Sequence, residues 1–332
     1  MNKDERKFSS ILLECGLLKS PNAKLQNLTG GVSSEIYIVK DGKRTFVVKR
    51  ALHKLKVEDE WFADISRNYA EQEFINYVSK FRPDAVPKLI FAKRIYSFFA
   101  MEFLDGFTNW KDDLLSGICD LQLAYKAGAL LGEIHFRSWD DYEAKQKFNT
   151  LENFEQLRID PYLRTTAEKH PKLSSKILAE AERLRNTKLC LVHGDFSPKN
   201  ILYSNNRLVV LDCEVAWFGD PSFDLSFFLN HFFLKSLYHF PKKFNFRQMI
   251  KDVLRGYTDL NNKYANKVKE QTAILLPMLM LARIDGKSPV EYITDENKKR
   301  FVRDFGSRMI LETETELNTI IEKWFQELDK LR

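Results

Sequence analysis

Two textures share this sequence, and together they predict an α+β chain with a small β-rich N-terminal lobe and a larger helical C-terminal lobe. Up to residue 105, short runs alternate apolar and polar residues between turn signals. From 106 onward apolar residues recur mostly at helical spacing, and one β-rich run, 201–215, interrupts them. The lobes are therefore drawn as 1–105 and 106–332.

The elements follow in order. The run EIYIVKDGKRTFVVKR has two strand-like halves joined by Asp41-Gly42, a strong hairpin signal. Residues 66–80 put Tyr69, Phe74, Tyr77 and Val78 near helical spacing and predict a helix, and SFFAMEFL, 97–104, reads as a strand. In the second lobe CDLQLAYKAGALLGEIHFRS suits a buried helix. ILYSNNRLVVLDCEV is a hairpin turning at Asn205-Asn206. Ser288-Pro289-Val290-Glu291 has the residues of a helix start, with Ser as cap, Pro first and Glu three after the cap. Residues 309–331 predict one long amphipathic helix without a break.

Composition narrows the function classes. The 332 residues are 44% hydrophobic, 30% charged and 13% aromatic, enough apolar mass for one large or two medium cores. The excess of 52 basic over 46 acidic residues is small and interleaved, without the dense basic stripe of a nucleic-acid binder, so no nucleic-acid partner is expected. The stretch Ala273 to Ala282, broken by Pro277, is too short to cross a bilayer, and ILLECGLL lacks a cleavage site, so neither a membrane partner nor a signal peptide is expected. Cys15, Cys119, Cys190 and Cys213 are scattered and form no CxxC pair. They read as reduced thiols of a cytoplasmic protein, monomer or homodimer.

The residues that carry chemistry cluster at His193-Gly194-Asp195-Phe196-Ser197-Pro198-Lys199-Asn200 and, after the hairpin, at Asp212-Cys213-Glu214. A hairpin brings its ends together, so Asn200 and the carboxylates Asp195, Asp212 and Glu214 converge. Hard oxygen donors of this kind suit Mg²⁺ held jointly with a phosphate. A carboxylate not needed for the metal could accept a proton from an attacking hydroxyl.

This constellation resembles the catalytic loop of the protein kinases, D-x-x-x-x-N followed by a metal-binding Asp. The form HGD-x-x-x-x-N, then D-x-E, then G-D-P-x-x-D, is similar to the aminoglycoside phosphotransferase and choline kinase superfamily. The resemblance implies a bilobal protein-kinase-like fold and ATP with Mg²⁺ as cofactors. It makes Asp195 the catalytic base, and Asn200 and Asp212 metal ligands, with Glu214 adding a ligand directly or through water. Ser197 stands where protein kinases have their catalytic-loop Lys, a departure that leaves only a neutral hydroxyl to meet the γ-phosphate. His193 is expected to hold the loop backbone, and Asp224 to tie its segment to the following helix.

The first lobe repeats the parts in kinase order. Gly30-Gly31-Val32-Ser33 is a glycine turn whose backbone N–H groups could approach phosphate oxygens. Phe46-Val47-Val48-Lys49 resembles the strand whose Lys clamps the α- and β-phosphates. Glu71 is its expected ion-pair partner, with Glu73 the alternative. Met101-Glu102-Phe103-Leu104-Asp105-Gly106 resembles the hinge, where the backbone of Glu102 and Leu104 would bond adenine.

The superfamily phosphorylates hydroxyls of small molecules. Trp61, Arg67 and Glu71 stand as in methylthioribose kinases, although His53 replaces a Pro and SPKN departs from the catalytic loop of those enzymes. The implied activity is transfer of the γ-phosphate to a hydroxyl of a small polar metabolite, a sugar of methylthioribose type. Choline/ethanolamine or aminoglycoside kinases are the alternatives, and a non-catalytic nucleotide-binding pseudokinase is the alternative of another class. Trp217, Asp220 and His231, with Phe218, are the substrate candidates. For a cationic substrate, Trp217 with Glu214 and Asp220 could form an aromatic cage. Arg283, Asp285 and Lys287 precede the expected helix start, an anion site or, the simpler reading, a salt-bridged loop.

Overall fold

The computed structural model describes residues 3–28, 34–51, 67–93, 95–205, 207–242, 245–260 and 263–331. Its contacts divide the chain into two compact units, Met1–Phe107 and Thr108–Arg332. The division falls after Phe107 because Thr108 and Asn109 pair with Tyr203 and Leu202 of the second unit.

The first unit opens with a helix the sequence reading did not propose, α1 (Lys3–Glu14), followed by β1 (Lys24–Leu28), β2 (Ser34–Asp41) and β3 (Arg44–Ala51). Next come α2 (Arg67–Ser79), β4 (Leu89–Ala92) and β5 (Phe98–Glu102). The five strands form one antiparallel sheet in the order β1-β2-β3-β5-β4. Period-2 alternation aims Tyr37 and Val39 of β2, and Phe46 and Val48 of β3, at one face, where Phe8 and Leu12 of α1 cover them. The β2–β3 hairpin pairs Asp41 with Arg44, so its two-residue turn is Gly42-Lys43, with Gly42 at φ +62° as a turn of this kind requires.

The second unit runs β6 (Thr108–Asn109), α3 (Trp110–Ser116), α4 (Leu121–Arg137), α5 (Tyr142–Lys147) and α6 (Leu151–Phe154). A π-helical segment, Glu155–Arg164, then leads to α7 (Thr165–Lys169) and α8 (Ser174–Asn186). After these come β7 (Cys190–Val192), a single 3₁₀ turn (Pro198–Asn200), β8 (Ile201–Tyr203), β9 (Leu208–Val210) and β10 (Trp217–Gly219). Helices α9 (Pro221–His239), α10 (Phe246–Leu260), α11 (Ala265–Asp285), α12 (Glu296–Glu312) and α13 (Leu317–Leu328) follow. The hairpin β8–β9 forms as its sequence predicts, with Ile201 opposite Val210 and Tyr203 opposite Leu208. Helices α4 and α10 meet backbone to backbone. A Cβ on Gly128 would lie 2.1 Å from the Val253 carbonyl oxygen, and one on Gly256 2.2 Å from that of Tyr125.

Two expectations are corrected. Residues 309–331 are not one helix: α12 ends at Glu312, Thr313 adopts φ +54°, and α13 begins at Leu317. The break turns Trp324 into an aromatic cluster with Phe233, Phe301 and Phe305, burial a straight run would give up. Ser288 does not start a helix. Its hydroxyl and carbonyl accept from Arg283, and Asp295 is the cap instead, accepting from the Lys298 N–H at 2.9 Å. Pro277 sits inside α11, and no helix among the described residues is long and apolar enough to cross a membrane.

Candidate active site

Gly194 at φ +77° turns the chain from β7 into the Asp195 loop. A side chain there would meet the Val215 carbonyl oxygen at 2.7 Å, so the residue has to be Gly. Asp224, fully buried in the first turn of α9, accepts from the N–H groups of His193 (2.7 Å) and Gly194 (2.8 Å), and His135 lies 3.3 Å from it. The carboxylate therefore anchors the loop to α9, the structural part expected of it. His193 Nδ1 accepts from the Asp195 N–H at 3.1 Å, which leaves Nε2 as the donor to the Leu211 carbonyl 3.2 Å away. Burial lowers the imidazole pKa and keeps that neutral tautomer. His193 thus ties the loop to the return strand of the hairpin.

Asp195 is almost fully buried. Asn200 Nδ2 donates to its Oδ2 (2.9 Å) and its carbonyl (3.0 Å), Lys199 Nζ lies 2.9 Å from Oδ2, and Arg158 Nη2 3.2 Å. Burial alone would raise the carboxyl pKa, but Lys199 and then Arg158 outweigh it, and the group is held below the ordinary aspartate value. It stays an ionised acceptor. Arg158 was not singled out in the sequence. It stands between the apolar Leu157 and Ile159 in the π-helical segment, and its Nε donates to the Gly194 carbonyl. The stretch around it, Gln156-Leu157-Arg158-Ile159-Asp160, mixes polar and apolar types and carries no local signal that sets it apart. Lys199 was visible in the loop, but its position, two after Ser197, concealed its role.

The hairpin brings Asp212 and Glu214 together, with carboxylate oxygens within 4.8 Å of each other. Asp212 takes φ +62°, a left-handed conformation costly for a residue with a Cβ, and such strain concentrates at functional positions. With Asn200 Nδ2 spent on Asp195, its amide oxygen is the acceptor left to complete a hard-oxygen set, a donor chemistry that fits Mg²⁺. Ser197 Oγ is buried and has no partner among the described residues, so its hydroxyl is free to donate.

In the first unit Lys49 Nζ and Glu71 Oε2 form a 2.7 Å ion pair with side chains 3% and 2% exposed, so Glu71 rather than Glu73 takes the partner position. The Glu102 N–H donates to the Lys88 carbonyl at 2.9 Å, and Leu104 lies half-buried just beyond β5. Gly30, Gly31 and Ser33, with Trp61 and His53, lie outside the described residues.

Of the substrate candidates the structure brings one to Asp195. His231 on α9 lines a cavity of about 200 Å³ that also holds Asp195, Lys199, Lys235 and Arg283. Trp217 is corrected: it is fully buried in β10, Phe154 stacks on it at 4.4 Å, and the Lys188 ammonium lies 4.1 Å from its ring centre. No face remains for a cationic ligand. Asp220 is corrected too, because it caps α9 through the Ser222 N–H at 2.7 Å and pairs with Arg183. Phe218 is core. Asp285 pairs with Arg303 at 2.7 Å and His170 at 2.9 Å, as the salt-bridged reading of that loop has it, whereas Arg283 bonds Ser288 and Tyr162 and forms no ion pair with a described residue.

The sequence pattern of the phosphotransferase enzyme family matches residues 24–246, well over half of the chain. The chain belongs to this family. Among curated relatives, a methylthioribose kinase of Exiguobacterium sibiricum is 26% identical over 247 residues, 66% of this chain and 63% of its own. One of Bacillus thuringiensis is 22% identical over 245 residues, 66% of this chain and 62% of its own. The chain thus spans less than two thirds of the length of the curated relatives it matches. Among solved structures, a Plasmodium vivax ethanolamine kinase superposes with a TM-score of 0.57 at 13% identity, covering 92% of this chain and 90% of its own. That likeness shows the fold, a β-sheet N-terminal region followed by a helical remainder, as the sequence predicts.

Proposed function

We propose that this phosphotransferase is a small-molecule kinase that moves the γ-phosphate of ATP to a hydroxyl of a small, sugar-like polyol. The single observation carrying this reading is the state of Asp195: buried, ionised, and held by Asn200, Lys199 and Arg158. In the proposed step the acceptor oxygen forms a bond to the γ-phosphorus while the bond from that phosphorus to the bridging β–γ oxygen breaks. ADP leaves with the electron pair, and the acceptor's proton passes to Asp195. Asn200, Asp212 and Glu214 would hold Mg²⁺, which neutralises charge on the phosphate oxygens. Ser197 donates its hydroxyl to the transferring phosphate, and Lys49, positioned by Glu71, meets the α- and β-phosphates. The turn at Gly30, Gly31 and Ser33 is proposed to cover the phosphates, and the backbone of Glu102 and Leu104 to take the adenine.

The polyol class rests on the relatives named methylthioribose kinase. Choline is disfavoured because Trp217, the ring a cage would need, is enclosed by Phe154 and Lys188. A pseudokinase is disfavoured because a module that only binds nucleotide has no use for a base held ionised in this way.

The test is ADP release by the purified protein with ATP and Mg²⁺ across polyols, choline, ethanolamine and an aminoglycoside. Asp195→Asn is expected to lower turnover about 10²- to 10⁴-fold with ATP affinity largely kept. Unchanged turnover in that variant removes the base from its role.

A further inference from the structure

The cavity beside Asp195 carries more positive charge than it neutralises. Two of its cations have carboxylate partners: Lys199 pairs with Asp195 at 2.9 Å, and Lys111 with Glu291 at 2.5 Å. Two others do not. Lys235, on α9 one turn after His231, is 1% exposed and makes no hydrogen bond or ion pair with a described residue, its ammonium lying 4.9 Å from the Tyr292 ring centre. Arg283, at the end of α11, donates through Nη1 to Ser288 and Tyr162, but its buried Nε has no partner among the described residues, and no carboxylate meets it.

Buried charges in proteins are paired, because an unpaired one costs its hydration. Two uncompensated cations from different helices, lining one cavity, leave a place for an anion. The same cavity holds two further unpartnered buried polar atoms, His231 Nε2 and the Tyr292 hydroxyl. We propose that Lys235 and Arg283 bind an acidic group of the acceptor, a carboxylate or a phosphate, and so present its hydroxyl to Asp195. The inference rests on the kinase reading and deepens it: the polyol is an acid, neither neutral nor cationic. Specificity follows from the same two residues. A neutral polyol leaves both cations uncompensated, and a cationic one adds a third charge of the same sign.

Protonation supports the assignment. Burial first, then Arg283 and Lys111, bring the Lys235 pKa down to about 7 against the opposing pull of Glu291, while His231 on the same helix is kept neutral. An anion arriving beside Lys235 would restore its proton. Binding above pH 7 should therefore take up a proton, and affinity should fall as pH rises from about 7 to 9, a readout in the wild-type protein that needs no variant.

The experiment is calorimetric titration with ribonate and ribose 5-phosphate, against ribose and choline as the neutral and cationic controls. One of the anions is expected to bind at least about tenfold more tightly than either control, and which one does so tells carboxylate from phosphate. Lys235→Met and Arg283→Met should each weaken it about tenfold or more, raise the acceptor KM and leave the ATP KM unchanged, and Lys235→Arg should restore binding. Equal binding of ribose and the anions, a preference for choline, or no anion binding below about 10 mM overturns the inference. Turnover of a neutral or cationic acceptor that disappears in Asp195→Asn would keep the kinase and remove the anion site. Anion binding without turnover of any acceptor would do the opposite.

Discussion

Two buried lysines of this protein stand in opposite circumstances. Lys49 meets Glu71 at 2.7 Å with both side chains out of water, whereas Lys235, equally buried, faces Arg283 and Lys111 and meets no carboxylate at contact distance. Both have lost their hydration. Only the first is compensated within its own chain, so its charge is a fixed part of the scaffold. The second keeps its charge only at a cost, and its compensation has to come from a ligand. A buried cation with a partner positions, and one without a partner waits for something to bind.

The contrast breaks most visibly in stability. Lys49→Met strands the Glu71 carboxylate in the interior and should cost about 3–5 kcal/mol, whereas Lys49→Met with Glu71→Gln should recover most of that loss. Urea unfolding of the three proteins checks it, and equal losses in the single and double variants would mean that the pair is not the scaffold described here.

Lys235→Met should act in the other direction. Its folded pKa, about 7, is below the ordinary lysine value of 10.5, so folding releases a proton between those values and stability rises with pH across that window. The cost of the charge is fully present below pH 7. The variant, free of that cost, is expected to be more stable than the wild type at pH 6 by about 1 kcal/mol or more, and the gap should close as pH approaches 10. Unfolding curves at three pH values decide it. A variant less stable at pH 6 would mean that the ammonium is already satisfied.

How much of this was legible in the sequence follows from the same contrast. The Asp195 loop was readable because its residues lie within eight positions and a hairpin returns the chain to them. Lys49 and Glu71 were readable because strand and helix follow in a fixed order. The cavity was not. Apart from Asp195 and Lys199, its residues come from α3, the π-helical segment, α9, α11 and the loop after α11, brought together by helix packing that leaves no local spacing to detect. Arg158 was hidden for that reason. Ser288-Pro289 misled for a related one, since a sound local cap signal lost to Arg283, which takes the Ser288 oxygens for itself. Trp217 and Asp220 misled because nearness to the catalytic hairpin in sequence does not say which way a side chain faces. Of the substrate candidates only His231, eleven residues beyond Asp220, reached the cavity.

The smallest expected effect separates those last residues. Asp220 accepts the Ser222 N–H at the start of α9 and pairs with Arg183, which also bonds Glu180 at 2.6 Å. Asp220→Ala removes a helix cap and leaves Arg183 its second carboxylate, so the expected loss is about 1–2 kcal/mol. Because the carboxylate points into this capping network and not into the cavity at Asp195, the acceptor KM should stay at its wild-type value. His231→Leu should do the reverse, raising the acceptor KM with little change in stability, since its Nε2 has no internal partner to lose. A rise in KM for Asp220→Ala at unchanged stability would return Asp220 to the acceptor site. It would also undo the division on which the anion site rests, between carboxylates already engaged inside the fold and cations still waiting for one.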